Sequence, residues 1–328
     1  MASEAATGTS TDTSTSGSTL PSHPTARAFF DALDLQKQKN DTSTSTTSSN
    51  STRRCSAFVQ KQLTSLGWRN RHSQDPHYPV TVLDVSFQVQ QMQRGEIEGT
   101  YGTGACVWPA AMVLVKYMER HSHLLRQKVV VDLGSGTGLT SIAAAILGAK
   151  VVVCTDGCDP VVQLARDNIR KAAAKTTGSS DNDNDDQNAA VMIQGCPIYT
   201  QELWWGRDSI HPSFLQQDDN ATCTSNIDVV LVADCVLPKL YPIAPLVAEI
   251  DQLLPQSTNS MALISYEHRY YPEYDPRDKF LELAQQRGLT VLKVPMEEHD
   301  PTYSVDDIEI CKVMRTTQPK PKQSQQES

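Results

Sequence analysis

The fold is decided by the stretch VVVDLGSGTG, residues 129–138. Three consecutive valines lead into Asp132, and glycines follow at positions 134, 136 and 138. An unbroken β-branched run of this kind is typical of a strand that is buried on both faces of a parallel sheet. Residues 139–147 are rich in Ala, Ile and Leu and are long enough for a helix. The glycines therefore lie at a strand-to-helix turn, where missing Cβ atoms allow a ligand to approach the backbone closely.

A second buried strand is predicted after this helix. Gly148 ends the helix, and KVVVCT at 150–155 predicts a strand that stops at Asp156. Asp156 comes 22 positions after Gly134, a spacing typical of the acid that binds ribose hydroxyls. The segment 129–156 is therefore interpreted as half of a nucleoside-binding fold.

The spacing of the glycines narrows the choice of nucleoside. In the dinucleotide fingerprint G-x-G-x-x-G/A, the last small residue allows close packing of helix on strand. Here the third glycine comes one residue early, and Leu139 takes that last position. Asp132 would repel a phosphate but suits a ligand that carries an ammonium and a sulfonium. The stretch resembles the first motif of class I S-adenosylmethionine-dependent methyltransferases; a purely structural turn is the alternative.

Composition limits the possible partners. The 328 residues carry a formal net charge of −9, which argues against general nucleic-acid binding and favours a basic substrate. No apolar run approaches the length of a membrane span, and no secretory signal is visible. The eight cysteines show no zinc-ligand spacing, so no metal is predicted and a reducing compartment is expected. We expect a cytoplasmic protein.

The composition of successive segments predicts the domain boundaries. Residues 1–57 are predicted to be a disordered Ser/Thr-rich arm, 58–315 a single domain and 316–328 a disordered tail. Within the domain, the acidic stretch 176–188 is predicted to be a disordered insert. Alternating apolar residues predict a half-exposed strand over Val80–Met92, with a hairpin partner bracketed by Gly95 and Gly99.

Strands and helices alternate along the rest of the domain. Helices are predicted at 110–118, where Pro109 suits the first turn, and at 160–174, 242–254 and 276–287. Strands are predicted at 190–193, 226–233, 260–266, 290–294 and 308–314. The stretch QELWWGR at 201–207 is interpreted as a loop whose tryptophans either stack on an adenine or pack in the core.

Three acids follow three of these strands: Asp132, Asp156 and Asp234. Because ligands gather at the carboxyl ends of parallel strands, all three are expected at one edge of the sheet. Three carboxylates placed together are costly unless a cation lies among them.

The whole domain, over roughly 80–315, resembles methyltransferase family 16, the cytosolic protein-lysine methyltransferases. Five blocks in order carry the resemblance: GACVWPAAMVLVKYME, the glycine turn with its flanking strands, ELWWG, DVVLVADCVL and YSVDDIEICKVMR. The resemblance implies an α/β fold: a Rossmann-like, seven-stranded class I methyltransferase sheet with helices on both faces, plus an N-terminal β-hairpin.

The resemblance also implies a set of site residues. Trp108 would line the cofactor pocket, residues 134–136 would cradle the methionine part, Asp156 would bind the ribose, and Trp205 would contact adenine. The full set for S-adenosylmethionine is Trp108, Asp132, Gly134, Ser135, Gly136, Gly138, Asp156, Trp205 and Ala233. The implied catalytic residues are Asp234, which would fix the amine, and Tyr241.

Two positions depart from the family pattern. The family commonly has tyrosine three residues after the aspartate, but Leu237 follows Asp234 here, so Tyr241 is the candidate substitute. Trp204 stands where the family has a smaller or polar residue. The aromatic and charged stretch 266–277 either lines an acceptor groove or is a packed loop with a Glu267–Arg269 pair.

The resulting hypothesis is a monomeric methyltransferase acting on a protein substrate with a target lysine, without nucleic-acid or membrane partners. Three alternatives stay open. The first is an N-methyltransferase of a small molecule or of another side chain. The second is a cofactor-binding scaffold without catalysis. A nicotinamide-dependent oxidoreductase is disfavoured by the glycine spacing.

Overall fold

Among the residues that the computed structural model describes, eight strands form the central sheet: β3 Val129–Leu133, β4 Val151–Asp156, β5 Val191–Ile193, β6 Cys196–Glu202, β7 Val229–Ala233, β8 Met261–Glu267, β9 Leu289–Lys293 and β10 Ile308–Arg315. Their order across the sheet is β5-β6-β4-β3-β7-β8-β10-β9. Strands β6, β4, β3, β7 and β8 are parallel, whereas β5 and β10 run antiparallel to their neighbours. The predicted α/β fold is therefore confirmed.

The structure describes residues 67–92, 103–177, 189–211, 214, 227–236, 243–254, 260–269 and 274–316. They belong to one compact unit that spans residues 55–328. The predicted arm, most of the predicted insert and all but the first residue of the predicted tail lie outside the described residues.

In the described part of the chain, five α-helices cover the two faces of the sheet. They are α1 Pro109–Arg120, α2 Leu139–Ile146, α3 Asp159–Thr177, α4 Ile243–Leu253 and α5 Pro276–Gln286. Helices α1, α2 and α3 pack into one hydrophobic core together with Val130 and Val152. Helices α4 and α5 pack into the other core, with Val129 and Val131. Successive valines thus point to opposite faces, as the pleat requires, and the prediction of helices on both faces is confirmed.

The third strand along the chain is where the sequence-based prediction was wrong. The predicted strand at 190–193 is the short edge strand β5, and the strand that pairs with β4 is β6, whose first part was not predicted and whose end was read as loop. Gln194 and Gly195, both with positive φ, join β5 to β6 in a two-residue hairpin turn. This hairpin adds the eighth strand to the predicted seven.

The N-terminal hairpin is present but is built differently from the prediction. The single strand predicted over 80–92 is broken by a turn at Leu83 and Asp84, which joins β1 His77–Val82 to β2 Val85–Gln90 in a separate sheet. Leu83 adopts a φ of +54°. Its amide donates a hydrogen bond of 2.7 Å to Glu119 of α1, which helps to hold the turn. The expected partner strand between Gly95 and Gly99 lies outside the described residues.

Candidate active site

The glycine turn after β3 supplies closely approached backbone at the centre of the sheet. Gly134 and Gly136 have φ of +66° and +55°, which disfavour any side chain. A Cβ on Gly134 would lie 2.7 Å from the Cys235 sulfur, and a Cβ on Gly136 would lie 2.8 Å from the Gly104 carbonyl oxygen. The turn is thus pressed between the loop before α1 and the end of β7, at the point where the strand order reverses.

Asp132 lies beneath this turn and is fully buried. Its Oδ2 accepts hydrogen bonds from the hydroxyls of Thr140 and Ser141 at 2.6 and 2.7 Å, at the start of α2. Its Oδ1 is buried and has no hydrogen-bond partner in the described structure. Burial raises the pKa of Asp132 to about 6, against the lowering effect of the two hydroxyls. A buried orphan acceptor of this kind suits an added donor or cation.

Asp156 ends β4 and points across the glycine turn. Its Oδ2 accepts a hydrogen bond of 3.0 Å from the Gly136 amide. Burial raises its pKa to about 6, while bonds from the amides of Gly136, Gly157 and Cys158 act in the opposite direction. The carboxylate is thus fixed at the edge where the sequence predicts a ribose-binding acid.

The glycine turn and Asp156 border a cleft, and Asp132 lies below it. Among the described residues, the cleft is lined by Thr103, Gly104, Cys106, Val107, Trp108, Ala111, Gly134, Ser135, Gly136, Thr137, Leu139, Thr140, Asp156, Ala233, Asp234 and Cys235. Trp108 is held in place by a hydrogen bond of 2.9 Å from its indole nitrogen to the Thr103 carbonyl oxygen. The loop before α1, the glycine turn and the ends of β4 and β7 therefore form one site.

Asp234 lies at the end of β7 in a left-handed conformation, with φ of +60°. Aspartate tolerates this conformation better than most residues. Its amide donates to the Ser265 carbonyl oxygen at 2.7 Å, and its side chain is 2% exposed. Arg269 binds the carboxylate through both terminal nitrogens, Nη1 to Oδ1 at 3.0 Å and Nη2 to Oδ2 at 2.7 Å. The acid at the mouth of the cleft thus carries a bidentate arginine.

Further charged side chains form a network of ion pairs with Arg269 and Asp234. Arg269 also donates to Glu267 at 3.2 Å, and its guanidinium lies 5.6 Å from the centre of the Trp108 ring. Arg69 in turn binds Glu267 and Asp307. The Glu267–Arg269 pair anticipated for stretch 266–277 is therefore present. Residues 270–273 of that stretch lie outside the described residues.

The two tryptophans of the loop after β6 take different positions. Trp205 packs partly buried in the core below the sheet edge, with Cζ2 at 3.3 Å from where a Gly134 Cβ would be. Trp204 is half-exposed and lies against Gly157, the residue after Asp156. Neither is among the residues that line the cleft in the described structure.

Most residues of the predicted site meet in the cleft, and a few lie elsewhere. Trp108, Ala233, Asp156, Asp234 and the stretch 134–136 line it. Asp132 lies below it, and Gly138 begins α2 with φ of +80°, packed against Ala165. Tyr241 and Leu237 lie outside the described residues. The prediction that Asp132, Asp156 and Asp234 share one edge is confirmed by the parallel pairing of β4, β3 and β7.

Several residues of the site were missed from the sequence. Cys106 and Cys235 line the cleft, and Arg269 supplies a cation to one of the three acids, Asp234. The signal for Arg269 was its place in the charged stretch directly after β8. Its partner on another strand is not visible in the sequence.

The residues present fit S-adenosylmethionine. An orphaned carboxylate oxygen lies under the glycine cradle, where a cationic ligand would be stabilised. A second carboxylate lies at the end of the next strand, in the position of a ribose ligand. The phosphate-repelling acid and the shortened glycine spacing do not suit a dinucleotide. Fold and site together define a class I methyltransferase.

The chain belongs to the lysine methyltransferase family, methyltransferase family 16, whose model matches residues 87–287. It is therefore an S-adenosylmethionine-dependent enzyme that acts on protein lysine.

Two named relatives match 60% and 69% of the chain. The chain is 28% identical over 204 residues, 60% of its length and 67% of the relative's, to the "Protein N-terminal and lysine N-methyltransferase efm7" of Neurospora crassa. It is 27% identical over 232 residues, 69% and 75% of the two lengths, to mouse "Protein-lysine methyltransferase METTL21E". Magnesium protoporphyrin IX methyltransferase from Synechocystis aligns with a TM-score of 0.39 at 14% identity, covering 62% of this chain and 81% of that one.

Proposed function

We propose that the chain transfers a methyl group to the ε-amine of a lysine that enters the cleft between Trp108 and Asp234. The observation that carries this proposal is the placement of Asp234 and Trp108 in the same cleft as the glycine cradle. An aromatic face and a carboxylate side by side suit a nitrogen that develops positive charge as the methyl group is transferred.

We propose that the backbone of Gly134, Ser135 and Gly136 holds the methionine part of the cofactor, above Asp132. Asp156 accepts hydrogen bonds from the ribose hydroxyls, and Ala233 offers backbone at the end of β7. Trp205 remains the candidate for the adenine, and Trp204, beside Gly157, is a second. When bound, S-adenosylmethionine supplies an electrophilic methyl group on a sulfonium.

The work of the chain is to orient the acceptor and to remove its solvation. A lysine amine has a pKa of about 10.4 in water and must lose its proton before it can attack. Asp234 accepts a hydrogen bond from the amine and fixes its direction. Trp108 excludes water from one side of the nitrogen. Because the proton leaves before the methyl group is transferred, positioning and desolvation carry much of the rate of the transfer itself.

We further propose that the protein acts as a cytoplasmic monomer on a protein substrate, without nucleic-acid or membrane partners. Its net charge of −9 supports a basic substrate surface and disfavours nucleic acid. None of the helices in the described part of the chain is long and apolar enough to cross a membrane. Within the same residues, no group of three or more His, Cys, Asp or Glu has the arrangement of a metal site.

The test is transfer of a tritiated methyl group from S-adenosylmethionine to proteins of a cell lysate. We expect a labelled protein band, with the label on a lysine after digestion and mass spectrometry. Label on a protein N-terminus, the other acceptor in the name of the Neurospora relative, would overturn the lysine proposal. Label confined to small molecules would overturn protein methylation altogether.

Matched variants connect the activity to the cleft. Asp234→Asn should reduce labelling at least a hundredfold and leave adenosylhomocysteine affinity within threefold, because Asp234 acts on the acceptor. Asp156→Asn should instead weaken adenosylhomocysteine binding at least tenfold by calorimetry. Asp167→Asn, an exposed acid on α3, is the control and should change neither quantity. Full labelling by Asp234→Asn would contradict the proposed role of that acid.

A further inference from the structure

Arg269 is held by more partners than a surface arginine. It makes two hydrogen bonds to Asp234, one to the Glu267 carboxylate at 3.2 Å and one to the Glu267 carbonyl oxygen at 3.4 Å. Its side chain is 10% exposed, and the guanidinium lies 5.6 Å from the centre of the Trp108 ring. An arginine bound in this way is a fixed charge rather than a mobile one.

Among the described residues, the ion pairs around Arg269 form a network of three carboxylates and two guanidinium groups. Asp234 comes from the end of β7, Glu267 from the end of β8, and Arg69 from the segment before β1. Asp307, just before β10, is the outermost member and is 46% exposed. In the part of the chain that the structure describes, the buried Asp234 carboxylate and the partly buried Glu267 carboxylate are matched by two guanidinium groups, so that Asp234 does not present an uncompensated negative charge to the cleft.

This balance matters for the acceptor. An unpaired carboxylate beside a lysine would stabilise the ammonium form, which cannot attack a methyl group. A guanidinium at the same place disfavours that form, because like charges within about 4–6 Å repel. Three hydrogen bonds occupy Asp234, one of them from the Glu267 amide, so a carboxylate with about four acceptor positions keeps one for the amine.

We propose that Arg269 is the fixed positive charge beside which the acceptor lysine loses its proton, acting through Asp234 as a positioning residue. The proposal rests on the proposed function. The ammonium gives its proton to solvent water before attack. The nitrogen lone pair then forms the new C–N bond, and the electrons of the broken C–S bond stay on the sulfur.

The test is the pH profile of kcat for Arg269→Gln, which keeps neutral donors near Asp234. Measured at saturating substrate, kcat reports ionisations in the enzyme–substrate complex. The assay uses tritiated S-adenosylmethionine and the purified protein that carries the label in the lysate experiment. We expect the acidic limb of the profile, the range over which activity rises with pH, to move to higher pH by about one unit or more. Activity near pH 7 should therefore fall about tenfold, with the loss shrinking as the pH rises toward 10.

Three further variants guard against a merely structural effect. Arg269→Lys keeps the charge and should retain the original limb. Glu267→Gln removes one balancing carboxylate and should move the limb to lower pH. Arg277→Gln, an arginine that binds Glu309 and not Asp234, should leave the limb in place. Thermal melting shows which variants fold. If Arg269→Gln does not fold, the pH profile of Glu267→Gln still tests the inference.

The outcomes separate this inference from the proposed function. A uniform loss at every pH in Arg269→Gln would overturn the inference, and so would a gain in activity, which would indicate an arginine that blocks the acceptor. An unchanged limb in Glu267→Gln would also overturn it. In each of these cases Asp234→Asn still reports on the proposed function. If Asp234→Asn labels fully, the proposed role of Asp234 fails and this inference fails with it, whereas label on a lysine still supports the methyltransferase.

Discussion

At the scale of single residues, the glycine turn depends on two separate properties of glycine. Gly136 needs a positive φ and also leaves space for the Gly104 carbonyl oxygen, 2.8 Å from where its Cβ would be. Gly195, in the turn between β5 and β6, needs a positive φ of +83° but has no atom within 4 Å of that position. Comparing alanine substitutions at the two positions therefore separates the cost of the left-handed backbone from the cost of steric overlap.

We expect Gly195→Ala to lower the free energy of unfolding by about 1 kcal/mol, the cost of a left-handed alanine. Gly136→Ala should cost at least about 2 kcal/mol, because the Gly104 backbone must also move. It should also weaken adenosylhomocysteine binding at least tenfold. Urea unfolding and calorimetry measure the two effects. Equal costs for the two variants would show that the contact with Gly104 does not matter.

The predictable part of the site is the part encoded locally. Gly134, Gly136 and Asp156 follow from spacing along one stretch, and Asp234 follows from its place after a buried strand. The Asp234–Arg269 pair joins the ends of β7 and β8, whose residues are 35 positions apart, and no local pattern encodes it. Cys235 in the cleft also depends on strand order, which periodicity along the chain does not determine.

At the scale of elements, local sequence patterns predict most strands correctly. They miss two turns, the one between β5 and β6 and the one between β1 and β2. Strand β6 contains Pro197 and ends in polar residues, so its pattern argues against a sheet interior. The turn between β1 and β2 contains no glycine or asparagine, and Leu83 adopts a conformation rare for leucine. Glu119 stabilises that turn from a helix formed 36 residues later, which is a tertiary effect.

One buried side chain links three elements near the site. Asn168 of α3 accepts a hydrogen bond from the Gln90 amide at 2.8 Å and donates to the Gln90 carbonyl oxygen at 3.1 Å. It also donates to the carbonyl oxygen of Thr137, in the glycine turn, at 3.0 Å. Asn168 thus fastens the end of β2 and the glycine turn to α3.

We expect Asn168→Ala to lower the free energy of unfolding by about 2–4 kcal/mol, since it leaves buried backbone groups without partners. Hydrogen exchange of the Gln90 amide should accelerate strongly, because that amide loses its acceptor. Urea unfolding and hydrogen exchange are the measurements, and Asn70→Ala, at an exposed asparagine, is the control. An unchanged Gln90 exchange rate would contradict the link.

At the scale of the whole molecule, one buried histidine ties the end of the domain to its first helix. His299 is 2% exposed and lies with its ring 6.2 Å from that of Tyr117 in α1. Burial lowers its pKa below the ordinary value of 6.5, while the Val294 backbone acts in the opposite direction. The folded protein therefore binds this proton less readily than the unfolded chain does.

Acidification should consequently destabilise the fold through His299. As the pH falls below about 6.5, the unfolded chain takes up the proton first, and stability falls by up to about 1.4 kcal/mol per pH unit until the folded-state pKa is reached. Urea unfolding between pH 7.5 and 5 measures the slope. His299→Gln should lack this contribution to the slope. Parallel curves for His299→Gln and the unaltered protein would refute the assignment.

The contact between Cys235 and the glycine turn has a consequence for folding. The Cys235 sulfur and the Gly134 carbonyl oxygen lie 3.8 Å apart although 101 positions separate them along the chain. Contacts of such long sequence separation form only when the intervening chain is closed into a loop, which is slow and entropically costly. The cleft is therefore complete only when β7 lies beside β3, so binding of a ligand there reports that this long-range strand pairing has formed.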